Sequence, residues 1–219
     1  MHNGTISGSS AALATSPSSP LSYLALGDSY TIGEAVKRDE NYPNQLVKQL
    51  RLGQVDIADP VIIAQTGWTT TDLKNAIRNA DITRRFNIVS LLIGVNNQYQ
   101  NLDPEAYRND FIDLLNTSVN LARGIKKNVF ILSIPDWSVT PFASNRDTAS
   151  IKAEIDLFNA INENISRLSG VNYLNITDIS RQAKTDPALL ASDGLHPSQK
   201  MYMHWIERLL PLVAGQLEK

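Results

Sequence analysis

The sequence predicts an α/β domain built on a parallel sheet with helices covering both faces. Three observations predict it. Short, mostly apolar runs stop abruptly at Gly or Pro: Leu21–Leu26 before Gly27, Ile88–Ile93 before Gly94, and Val129–Ile134 before Pro135. Such runs suit strands buried on both faces, as parallel strands are. Longer amphipathic stretches alternate with them, and this rhythm leads to a parallel sheet with right-handed crossovers. Finally, 219 residues suffice for one sizeable core, and no repeat or linker divides them.

Taken in order, Leu21–Leu26 is the first strand. Asn41–Leu52 reads as a helix stopped by Gly53. Either Val55–Ala58 or Val61–Ala64 supplies the second strand, and Thr71–Ala80 is helical. Ile88–Ile93 is the third strand. Asp103 is a good N-cap and Pro104 suits a first turn. Tyr107, Phe111, Leu114, Leu115 and Ala122 then share one face of a helix that Gly124 closes. Val129–Ile134 is the fourth strand. Asp147–Leu168 is a helix with Ile151, Ile155, Phe158, Ile165 and Leu168 as its stripe. Val171–Leu174 is the last strand, and a helix from about Ser198 ends the chain.

Composition narrows the function. Hydrophobic residues are 42% and charged residues 19%, as in an ordinary globular protein, and the formal charge is −2. Nothing in that balance suggests a nucleic-acid partner. Cysteine is absent, which removes disulfides, a cysteine nucleophile and thiolate metal sites. No apolar stretch approaches the roughly 20 residues of a membrane span. Residues 1–20 are rich in Ser, Ala, Thr and Pro and lack a secretion signal's basic start and apolar block. They read as a flexible leader to a domain over 21–219. Location stays open between the cytoplasm and export with a signal missing from this sequence.

In open parallel sheets, ligands bind beyond the carboxyl ends of the strands. Gly27-Asp28-Ser29, Gln65-Thr66-Gly67-Trp68, Gly94-Val95-Asn96-Asn97 and Ser133-Ile134-Pro135-Asp136-Trp137 follow successive strands there, with Asp193-Gly194-Leu195-His196-Pro197 past the last. Serine-based ester cleavage needs a hydroxyl, a base, a group orienting the base, and donors for the oxyanion. Ser29 offers the hydroxyl. Three histidines compete as base. His2 lies in the leader. His204 lies in the last helix, roughly opposite its stripe of Tyr202, Trp205, Ile206, Leu209 and Val213 at about 100° per residue. His196 remains. Asp193, three positions earlier, either orients that imidazole or caps the next helix. The Ser29 and Gly67 N–H groups and the Asn96 amide are candidate oxyanion donors; Gly67 and Asn96 are equally ordinary turn residues.

Together these segments resemble the SGNH hydrolase family, also called GDSL-type esterases and lipases. Its four signature residues match Ser29, Gly67, Asn96 and His196, in the family's order, across nearly the whole chain after the leader. The resemblance implies a flavodoxin-like three-layer α/β/α sandwich with a five-stranded parallel sheet. It implies a Ser29-His196-Asp193 triad and an oxyanion hole from Ser29, Gly67 and Asn96. Tyr30 stands where the motif has leucine, and Asn97 where the third block often has aspartate.

The implied activity is a serine esterase with a small-molecule or lipid ester substrate and no cofactor. Short-chain acyl esters, lysophospholipids and acetylated carbohydrates all fit. Trp68, Trp137 and Phe142 either line a substrate pocket or pack loops onto the domain. The domain is small and Pro135–Asp147 is its only long loop near the site, which favours an open site and short acyl chains. An acyltransferase with the same triad and a silent ligand-binding module are the alternatives. No nucleotide-binding motif occurs, histidines are too few for a typical zinc site, and a magnesium site on Asp28 is the one metal alternative. Oligomeric state is not written in these residues.

Overall fold

The computed structural model describes residues 19–217. The expected leader therefore lies outside the described residues, apart from Ser19 and Pro20. Five parallel strands form one sheet: β1 (Tyr23–Gly27), β2 (Val61–Ala64), β3 (Ile88–Leu92), β4 (Val129–Leu132) and β5 (Asn172–Leu174), in the order β2-β1-β3-β4-β5. Every pairing is parallel, with Leu24 opposite Val61 and Val89 on its two sides. Residues of β1, β3 and β4 are fully buried, as their apolar runs require. β2 is an edge strand and only partly buried. Val61–Ala64 is thus the second strand; the competing segment makes one isolated bridge, Leu21 to Ile57.

Helices α2 (Tyr42–Leu52) and α8 (Gln199–Leu217) pack together, while α5 (Pro104–Leu121) packs on α3 (Thr70–Asn79) and α6 (Thr148–Ser169). One group covers each face of the sheet. The helix starts follow local chemistry. Asn41, Thr69, Asp103 and Asp147 each accept a backbone N–H of the turn they begin. Tyr107, Phe111, Leu114 and Leu115 face the core, as their spacing predicts. Leu168 does not. It is 72% exposed in the last turn of α6, although its spacing puts it on the face of Ile161 and Ile165.

Three short helices carry no sequence periodicity: α1 (Ser29–Ile32), α4 (Val95–Tyr99) and α7 (Thr177–Arg181). The first two begin directly after β1 and β3, at the carboxyl edge where the predicted chemistry collects. No helix among the described residues is long and apolar enough to cross a membrane.

Candidate active site

β1 delivers Ser29 to the carboxyl edge of the sheet through a sharp strand-to-helix turn. A Cβ at Gly27 would collide with Thr31 Oγ1 and the Leu92 carbonyl oxygen, so only glycine lets the turn sit this close to β3. Asp28 caps α1, its Oδ1 accepting the Tyr30 N–H at 3.0 Å. Ser29 is the first residue of α1, so its own N–H has no intrahelical acceptor.

The last loop brings His196 to this turn. Its Nε2 lies 3.0 Å from Ser29 Oγ, and its Nδ1 lies 2.6 Å from Asp193 Oδ2. Asp193 Oδ1 accepts the N–H groups of Leu195 and His196, each at 3.0 Å. One carboxylate therefore both shapes the loop and orients the ring. Partial burial raises the Asp193 pKa, but the His196 ring and those two N–H groups outweigh it and hold the carboxyl below its ordinary value. Ser29 and His196 are both buried. The Tyr30 ring packs edge-on to His196 at 5.5 Å, and the Tyr30 carbonyl accepts the Tyr202 hydroxyl of α8 at 3.0 Å. His204 lies off the buried face of α8, its Nδ1 3.0 Å from Glu207 Oε2.

Gly67 and Asn96 lie on the same edge. Gly67 has φ +83, a left-handed conformation that favours glycine, and a Cβ there would meet only open space. Its N–H bonds to nothing among the described residues. Asn96 lies in the first turn of α4 and donates one amide hydrogen to the Trp68 carbonyl at 2.9 Å. A second amide hydrogen remains. Asn97 points the other way: its Oδ1 accepts the Thr70 N–H at 3.0 Å and its Nδ2 donates to Thr70 Oγ1 at 2.8 Å.

A cavity of about 190 Å3 opens at this point, with Ser29, His196, Gly67 and Asn96 in its wall. Trp137 and Phe142 line it too, whereas Trp68 does not; its ring is half-buried against the core. Trp137 is held by a buried polar anchor. Asp136 accepts the Ser138 N–H at 2.9 Å and pairs with Arg181 Nε at 2.8 Å, and the Asp136 N–H donates to Ser180 Oγ at 2.8 Å. Tyr30, Thr66, Val95, Tyr99 and Leu195 complete the lining. Sequence reasoning misses Tyr99 because α4 is too short to show a period.

Asp28, the anchor considered for magnesium, is fully buried, and its Oδ2 has no protein partner. Burial pushes its pKa up to about 7 against the opposing N–H bonds of Tyr30 and its own backbone. No group of three or more His, Asp or Glu among the described residues is arranged to hold a metal ion.

A family model described as GDSL-like lipase/acylhydrolase matches residues 25–204. The chain belongs to that family. It is a carboxylic ester hydrolase by that membership. Solved structures share the fold at low identity. TesA superposes with a TM-score of 0.69 at 15% identity, over 89% of this chain and 99% of that one. Axe2, an acetylxylan esterase from Geobacillus stearothermophilus, gives 0.69 at 18% over 89% and 94%. The psychrotrophic esterase EstA from Pseudoalteromonas sp. gives 0.64 at 16% over 90% and 99%. No curated protein matches the sequence.

Proposed function

We propose that this GDSL-family hydrolase cleaves short-chain carboxylic esters through an acyl-enzyme on Ser29. The observation that carries this is the unbroken line Ser29 Oγ, His196, Asp193, at 3.0 and 2.6 Å. His196 Nε2 takes the hydroxyl proton as Ser29 Oγ attacks the ester carbonyl. The carbonyl oxygen becomes an oxyanion, held by the N–H groups of Ser29 and Gly67 and by the free Asn96 amide hydrogen. The tetrahedral intermediate collapses, the alkoxy group leaves with the proton from His196, and the acyl group stays on Ser29. Water then attacks, giving its proton to His196, and the free acid departs as Ser29 recovers its hydrogen. Asp193 stays ionised and stabilises the imidazolium in both halves.

The small cavity with Trp137 and Phe142 in its wall supports a short, apolar acyl group. The test is turnover of p-nitrophenyl acetate by wild type and Ser29→Ala, with a fluorophosphonate probe as label. Wild type is expected to release p-nitrophenol and take the label, and the variant to do neither. Turnover retained in the variant would sink the assignment.

A further inference from the structure

The esterase reading leaves Tyr99 and Arg146 without a role. Tyr99 ends α4 and its ring forms part of the cavity wall. Trp137 and Phe142 complete that wall, with ring centroids 5.6 and 6.3 Å from Tyr99. The three rings are not equally held. Trp137 is 3% exposed, and its indole N–H donates to Gln98 Oε1 at 2.8 Å. Gln98 is fixed in turn by Glu154, 2.6 Å from its Nε2. Tyr99 is 40% exposed.

What holds Tyr99 is Arg146. An Nη2 hydrogen bonds to the Tyr99 hydroxyl at 3.0 Å, and the guanidinium lies 5.0 Å from the Tyr99 ring centroid, 5.7 Å from Trp137 and 5.9 Å from Phe142. Behind the wall is a second cavity of about 330 Å3. Tyr99 and Trp137 line both cavities.

We propose that Tyr99, latched by Arg146, is the specificity-determining wall that restricts the enzyme to short acyl chains. The proposal rests on the serine-esterase reading and adds its selectivity. Phe142, 45% exposed, lines the catalytic cavity alone, so an acyl chain that grows from that cavity towards the second one must displace one of the two shared rings. Trp137 is pinned by a buried hydrogen bond, so the exposed Tyr99 is the ring that yields. Its displacement forfeits the hydroxyl hydrogen bond and the cation–π contact.

The experiment measures kcat/KM for p-nitrophenyl esters from acetate to decanoate on wild type, Tyr99→Ala and Arg146→Ala, with Ser29→Ala as control. The readout is the octanoate-to-acetate ratio within each variant, which cancels any loss of folded enzyme. Wild type is expected to favour acetate or butyrate. The ratio should rise about tenfold or more in Tyr99→Ala and about two- to fivefold in Arg146→Ala. An unchanged ratio in Tyr99→Ala overturns the wall. A change there with none in Arg146→Ala overturns the latch. A wild-type optimum at long chains overturns the proposal and leaves the esterase standing. A wild type inert to every ester, or a Ser29→Ala variant as active as wild type, overturns the esterase reading itself.

Discussion

Asn97 clasps Thr70 at both ends of its amide, accepting the Thr70 N–H at 3.0 Å and donating to Thr70 Oγ1 at 2.8 Å. This pair ties α4, which carries Asn96, to the start of α3, just beyond Gly67. The candidate oxyanion donors Gly67 and Asn96, on separate segments, are thereby held at a fixed separation.

The clasp also explains the departure from aspartate at position 97. The Thr70 hydroxyl gives its one hydrogen to Asp110 Oδ2, at 2.9 Å. It can only accept from position 97, and an ionised carboxylate cannot donate. Asn97→Asp is therefore expected to cost about 1–3 kcal/mol of stability in urea denaturation at neutral pH. The loss should shrink in acid, where a protonated carboxyl at 97 donates again. Equal stability across pH would contradict this account.

Asp193→Asn tests the orientation of His196. The variant keeps Oδ1 for the Leu195 and His196 N–H groups, so the loop should hold its shape. Its new amide donates to Nδ1, which moves the ring proton to Nε2, where it cannot accept from Ser29. A fall in kcat of about 10²- to 10⁴-fold with an unchanged melting temperature is expected. A loss of less than threefold would remove Asp193 from the mechanism.

Asp28 carries a pH signature. Burial raises its pKa from 3.8 to about 7, so the folded chain holds this proton more tightly than the unfolded chain. The contribution to stability is complete in acid, is lost as pH rises from about 4 to 7, and then stays level. Asp28→Asn keeps the acceptor for the Tyr30 N–H and removes the titration. The variant should gain on wild type across that window by about 1–3 kcal/mol. Parallel stability curves from pH 4 to 8 would refute the assignment.

Much of this was legible in the sequence because strong physics acts locally. β1, β3 and β4 are buried on both faces and leave continuous apolar runs. The capped starts of α5 and α6 carry Asp103 and Asp147. The edge strand β2 was ambiguous because a half-covered strand needs less apolar patterning. Ser29, Gly67, Asn96 and His196 were readable because each follows a strand or a loop in the family's order, and the structure brings them to one cavity. Tyr99 and Arg146 were not. Their relation is a contact between exposed side chains on separate elements, which no periodicity encodes. Trp68 looked equivalent to Trp137 by type and position; only packing separates a ring half-buried outside the cavity from a buried one in its wall.

Ser29 and His196 are 167 residues apart in the chain, yet 3.0 Å apart in space. β1 and its turn are synthesised well before the segment leading into α8, which carries the proposed base. On the proposed mechanism the serine stays chemically silent until that segment is in place. Hydrolytic competence then requires α8 to dock, with the Tyr202 hydroxyl on the Tyr30 carbonyl. Recovery of turnover during refolding is consequently a clock for completion of the whole fold, and it should trail the return of helical circular dichroism.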